Sequence, residues 1–275
     1  MISYASFIAM IISLLMCFLF PVFLYIVLRK NSRNITGAVV AGAIAFYISQ
    51  MIIRLPLIQA VLPNLTWFSK LQEIPLLLIL FMALSAALFE ETARFLAFTL
   101  LLKERQVWKC GIAFGIGHGG IEAILLVGMT YVNNIVLSVM INTGNFHSFL
   151  QDKLDNEAIE QIYVALMETP FQTFLAAGIE RTMVILIHIA LSVMILEGIV
   201  RKQKLMFYFL AVIFHSGINY VSSYLYYKKV NIWLVELFIA LVAALAILNV
   251  IKSKKRFGSK IEYVDEAKKA IEDGY

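Results

Sequence analysis

Seven apolar stretches make up most of this 275-residue chain, and each exceeds the roughly 18 residues needed to cross the hydrocarbon of a bilayer. A helix satisfies its own backbone N–H and C=O groups, so stretches of this kind fold as helices in lipid. They run over about 4–28, 35–55, 74–102, 107–135, 170–200, 204–226 and 231–251. The predicted fold is an all-α polytopic transmembrane bundle forming one domain over 1–251, with a charged tail over 252–275. Composition agrees: 61% of residues are hydrophobic, only 15% are charged, and the mean hydropathy is +0.84.

The net charge of +5 is informative through its placement and does not call for nucleic acid. Arg29, Lys30, Arg33, Lys103, Arg105, Lys109, Arg201, Lys202, Lys204 and the basic tail from Lys252 fall at alternate ends of the spans. Only Arg54, Lys70, Lys153, Lys228 and Lys229 fall at the other ends, so the positive-inside rule places the N-terminus outside and the C-terminus in the cytoplasm. Trp67, Trp108 and Trp233 lie near span ends, where aromatic belts form. Residues 56–73, with Pro56 and Pro63, read as an interfacial connection, and 142–168 as the largest polar loop. Thr169 and Pro170 suit the N-cap and first turn of the fifth helix. Cys17 and Cys110 read as free thiols, and the first span as a retained helix.

Against this apolar background Glu90, Glu91, Arg94, Glu122, Glu180 and Arg181 sit deep within spans, where each costs roughly 2.5–3.5 kcal/mol at the bilayer centre. His118, His188 and His215 lie in the same kind of segment. At about 1.5 Å per residue, Glu90 and Glu91 are about 17–20 Å from the basic end of helix three. His118, His188 and His215 fall about 15–18 Å into helices four, five and six. Four helices thus bring acids, a base and imidazoles to one level near the midplane.

Within Glu90-Glu91-Thr92-Ala93-Arg94, one carboxylate can pair with Arg94 on a shared helical face, leaving the other as a desolvated general base. A purely structural ion pair is the bland alternative, and two adjacent acids with one base fit it poorly. In Gly115-Ile116-Gly117-His118-Gly119-Gly120-Ile121-Glu122, the repeat of Gly111, Gly115 and Gly119 is a stripe for close helix packing. His118 and Glu122, one turn apart, suit an imidazole oriented by a carboxylate or two ligands of one metal ion. Arg181 can neutralise Glu180 or Glu122, and it shares a face with His188 and Ser192. His215 and Asn219 are also one turn apart, and a buried Asn is a donor for a developing oxyanion. His147 in the polar loop reads as a surface residue. No P-loop, Rossmann fingerprint, HExxH pair or GxSxG elbow is present.

This set resembles the glutamate-type intramembrane proteases, which include the CAAX prenyl protease and bacteriocin-processing group and the PrsW proteins. Glu90-Glu91-x-x-Arg94 is similar to the first motif of that group, written there with three residues before Arg. Phe114-x-x-x-His118 and His215-x-x-x-Asn219 match the second and last motifs in spacing. Gly-His-Gly-Gly-x-Glu, with Glu180-Arg181 ahead of His188, more closely resembles the YhfC branch of intramembrane proteases. The likeness covers helices three to six, over 74–226. It implies a membrane-embedded endopeptidase in which Glu90 or Glu91 activates water with His118, and His215 and Asn219 stabilise the oxyanion. Arg94, Glu122, Glu180, Arg181 and His188 would support them. No cofactor is expected, with Zn2+ as the alternative. The expected partners are the lipid bilayer and a peptide or transmembrane-segment substrate, in a bacterial plasma membrane. A carrier using the same midplane residues for protons or a divalent ion is the rival reading, although no repeat symmetry or paired broken helices accompany them. A non-catalytic scaffold with a degenerate site is a third, and the intact acids and histidines count against it.

Overall fold

A computed structural model describes residues 1–30, 35–104 and 106–272, with side chains through Phe257. Arg33 and Arg105 of the charge count lie outside the described residues, as do the tail side chains beyond Phe257. Seven of the described helices are long and apolar enough to cross a membrane. They are α1 (Tyr4–Lys30), α2 (Thr36–Asn64), α3 (Pro75–Leu101), α4 (Trp108–Asn142), α5 (Phe171–Val200), α6 (Lys204–Tyr227) and α7 (Ile232–Glu272). Helix α7 passes without a break from its apolar part into the region read as tail. Between α4 and α5, the expected polar loop contains two short helices, Phe146–Leu150 and Asn156–Glu168.

Helix α5 is the axis of the bundle. Most of its apolar stretch is buried, and it packs against α1, α4, α6 and α7, while α2 lies on α4 and α3 on α6. The outer helices turn large apolar side chains outward, such as Leu19, Phe23, Ile213 and Leu245, as lipid-facing helices must. Glycine sets the spacing at the centre. A Cβ on Gly115 would overlap the backbone of Ile189, and one on Gly119 would lie 3.0 Å from the Cα of Ile185 and 3.2 Å from the Cβ of His188. On the opposite side of the same helix, a Cβ on Gly117 would strike the carbonyl of Val39 in α2. Small residues here let three backbones approach closely.

Two local expectations are corrected. Helix α2 does not stop before Pro56; it runs through it to Asn64. Tyr47–Arg54 and Leu57–Val61 are π turns on either side of it, and Pro56 itself keeps helical angles of φ −60° and ψ −38°. Thr169 does not cap α5. Its hydroxyl donates to the Ala165 carbonyl at 2.6 Å, closing the preceding short helix, and Pro170 takes the extended N-cap position itself. Cys17 and Cys110 are buried thiols in no disulfide.

Candidate active site

Helix α3 presents Glu90, Glu91 and Arg94 to the bundle interior, α4 presents His118 and Glu122, α5 presents Arg181 and His188, and α6 presents His215. Glu90, Glu91, Arg94, His118, Glu122, His188 and His215 are all buried. The structure therefore brings together the level that helical rise alone suggested. Arg94 resolves the adjacent acids by pairing with Glu91. The second guanidinium nitrogen, Nη2, lies 3.0 Å from His188 Nδ1. Glu91 Oε1 also contacts His215 Nδ1 at 2.8 Å. Glu90 is left facing His118, whose Nε2 is 3.0 Å from Glu90 Oε2, with His215 Nε2 at 3.8 Å from the same oxygen.

Donor chemistry fixes several protons here. Guanidinium only donates, so His188 Nδ1 accepts from Arg94, and the ring proton sits on Nε2, facing Glu122 Oε2 at 2.6 Å. A carboxylate paired with Arg94 only accepts, so His215 Nδ1 carries the proton donated to Glu91 and its Nε2 faces Glu90. Glu122 also accepts from Arg181 Nη1 at 2.9 Å, and Arg181 in turn pairs with Glu180. Arg181 thus neutralises both of the acids between which the sequence left a choice. His118 and Glu122, one turn apart on α4, do not pair with each other. Their partners come from α3 and α5, because the glycine contacts bring the rings of His118 and His188 to 4.9 Å.

Asn219 lies half-buried on the wall of a cavity of about 260 Å3 that also borders Glu90, Glu122, Arg181, His188 and His215. The cavity runs from this level toward the end of the bundle where α3 begins and α6 ends, past Met82, Ala83, Ser222 and Tyr226. A larger groove of about 540 Å3 between α2 and α3 is walled by residues such as Ile48, Leu88, Leu96 and Leu100 and holds no ionisable group, so the chemistry belongs to the smaller space. Ser192 takes no part in it; its hydroxyl donates to the His188 carbonyl at 2.7 Å. His147 is exposed beside Glu160 at 3.3 Å and does not join the site.

Four residues near the site were not singled out from the sequence. Arg54 is buried and donates to the Met82 carbonyl at 2.8 Å, to Ser85 Oγ at 3.1 Å and to Gln50 Oε1 at 3.0 Å, while Gln50 reaches the Ala86 carbonyl at 3.4 Å. Positions 82 and 86 lie two turns and one turn before Glu90 on one face of α3, so this pair clamps the face that carries the acid. Two polar residues one turn apart in a segment otherwise apolar were the available signal. Tyr226, at the far end of the cavity, and Glu236, behind it at 3.3 Å from its hydroxyl, are the other two. Glu236 is an acid inside the last span, the same mark that drew attention to Glu90.

Ligand atoms of Glu90, His118, Glu122 and His188 lie within 4.8 Å of one another, all buried. Two imidazoles and two carboxylates make a donor set suited to a zinc-type divalent ion. His118 Nδ1 has no hydrogen-bond partner among the described residues. Glu122 Oε2 likewise has no hydrogen-bond partner among the described residues, although His188 Nε2 lies 2.6 Å from it. The residues present fit such an ion.

Comparison with known proteins points to a metal-dependent peptidase family. The family model described as YhfC intramembrane metalloprotease matches residues 16–239, a segment that contains the buried acids and histidines of the site. Over 259 residues the chain is 29% identical to the uncharacterized membrane protein YhfC of Bacillus subtilis (strain 168), covering 94% of this chain and all of that protein. No solved structure matches. A match taking in five of the seven spans whole and part of the first and the last, with the buried acids and histidines inside it, makes this integral membrane protein a member of the YhfC intramembrane metalloprotease family.

Proposed function

We propose that the chain hydrolyses a peptide bond within the membrane, with Glu90 as the general base and His118, Glu122 and His188 as the holders of a divalent metal ion. The observation that carries this reading is the division of labour between adjacent acids. Glu91 is taken up by Arg94 and His215, whereas Glu90 lies on the cavity wall between His118 and His215. Two histidines and one glutamate are the protein ligands of many catalytic zinc sites, which leave a position open. When bound there, such an ion supplies Lewis acidity, polarising a carbonyl and easing ionisation of water.

The chain's own groups do the rest. Glu90 takes a proton from water as the water oxygen forms its bond to the peptide carbon, and that proton passes to the departing amine as the C–N bond breaks. The Asn219 amide donates to the oxygen that gains negative charge. His215 is held by Glu91 with its Nε2 turned toward Glu90, where a second proton on the ring would be supported by both acids. Arg94 fixes Glu91 and the tautomer of His188 together. The low-dielectric surroundings strengthen each of these interactions. A carrier function is not favoured, since the family is one of proteases. The single-domain organisation over 1–251 and the outward N-terminus belong to the same proposal.

The test is cleavage of a library of membrane-spanning peptides by the purified full chain, with metal content measured in parallel. Glu90→Gln is expected to lower kcat/KM by about 10²–10⁴, the usual range for loss of a general base, while metal is retained. His118→Ala and Glu122→Gln are expected to lose both metal and activity. Full activity in a metal-free preparation would overturn the assigned metal, and an active Glu90→Gln would overturn the assigned base.

A further inference from the structure

Beyond Arg181 the polar network continues into a part of the molecule for which hydrolysis has no use. Tyr226 stands at the far end of the cavity, with its hydroxyl 2.9 Å from Glu180 Oε2 and 3.3 Å from Glu236 Oε1. A phenol has one proton to donate and here faces two carboxylates. Glu236 lies behind it, only 5% exposed, and its Oε2 has no hydrogen-bond partner among the described residues. Its neighbourhood is short of positive charge. Among the described residues Glu236 makes no salt bridge, and Arg181, the guanidinium on this wall, pairs with Glu180 and with Glu122, the acid assigned above to the metal ion. A buried carboxylate with an open oxygen, next to a second carboxylate and a single shared proton, calls for a cationic donor.

The neighbouring wall says what kind. Ser222 and Ser223 lie beside Tyr226, and Ile218, Val184 and Ile239 line the passage between this end and the active level. Hydroxyls at the end and apolar side chains along the passage suit an alkyl stem carrying an ammonium, since such side chains bury the stem and pair the head. We infer that Glu180, Tyr226 and Glu236 form a specificity subsite for a lysine side chain of the substrate, flanking the bond cut at Glu90. This rests on the peptidase reading above. A lysine ammonium brings three donors and one positive charge, enough to serve both carboxylates and release Tyr226 from its double contact.

The experiment uses N-acetylated transmembrane peptides, so that no terminal amine competes. They are identical except at one position, walked along the segment, which holds lysine or its uncharged counterpart norleucine. Wild type is expected to prefer lysine at one position by about tenfold in kcat/KM, with the difference mainly in KM. Glu236→Gln is expected to shrink that ratio to less than about threefold, and Glu236→Asp to restore part of it. Equal cleavage of the two peptides at every position, or an undiminished ratio in Glu236→Gln, would overturn the subsite. Binding of the same peptides, labelled with a fluorophore, to the full chain gives a readout independent of turnover. If neither peptide is cut, the peptidase reading fails, and the subsite then stands or falls on tighter binding of the lysine peptide that Glu236→Gln removes. Tyr226→Phe, which keeps the ring and both acids, covers the case in which Glu236→Gln does not fold, and it should also reduce the lysine preference.

Discussion

Helix α5 carries two ionic clusters, about two turns apart, and they are built in opposite ways. Near its end Glu197 is buried with both carboxylate oxygens engaged. Arg201 Nη1 lies at 3.0 Å and Arg256 Nε at 2.7 Å from Oε1, and Arg256 Nη2 at 2.8 Å from Oε2. One acid meets two cations, and the second of these also reaches Asn249 at 3.0 Å. At the other cluster, around His188, Glu91 Oε2, Arg94 Nε, His118 Nδ1 and Arg181 Nε are buried without hydrogen-bond partners among the described residues. Burying a polar atom without a partner costs about 1–3 kcal/mol. A cluster that only fastens helices has no reason to bear that cost, and the one at Glu197, joining α5 to α7, does not. Incomplete pairing therefore separates a working site from a fastening one better than burial or charge does.

The contrast can be broken by mutation. The largest effect is expected from Arg94→Met. Arg94 is fully buried between Glu91 and His188, so its removal strands a buried carboxylate, and a loss of about 3–5 kcal/mol is expected in unfolding measured in mixed micelles. A loss below about 1 kcal/mol would mean that Glu91 is already neutral. Gly115→Ala comes next. The added methyl overlaps the backbone of Ile189 and forces α4 and α5 apart, costing about 1–3 kcal/mol. Because the same contact brings His118 against His188, activity and metal content should fall further than the melting temperature would suggest. Arg256→Met should do least. Glu197 keeps Arg201, so a loss of about 1–2 kcal/mol with peptide cleavage retained is expected. If that variant were inactive, the cluster at Glu197 would have to be counted as part of the site.

Much of the site could be read in the sequence because depth in a membrane helix is arithmetic. A fixed rise per residue put Glu90, His118, His188 and His215 on one level, and the spans themselves needed only length and hydropathy. Pairing was not legible in the same way. Spacing along α4 joined His118 to Glu122, but the glycines on either side of His118 admit α2 and α5 so closely that its neighbours come from other helices. Likewise nothing local indicated which acid Arg94 would choose, since both Glu90 and Glu91 lie within one turn of it. Pro56 misled because its usual effect on an α-helix does not carry over to the π turns on either side. Thr169 misled because a hydroxyl can close the helix before it as readily as open the one after. Glu236 went unnoticed because an acid one turn inside a span resembles an interfacial residue until Tyr226 and Glu180 are seen beside it.

The π turn at Ala123–Gly128 follows directly after Glu122. A turn of this kind holds an additional residue without breaking the helix. It works as a spacer between two stretches that must satisfy different neighbours: His118 and Glu122 face α3 and α5, whereas Gly128 sets its backbone against Phe18 and Cys17 of α1. Removing one residue there would rotate everything beyond by about 100° while leaving the earlier turns in phase. Gain or loss of a single residue at that point is therefore a route by which the far half of α4 can diverge among relatives without moving His118.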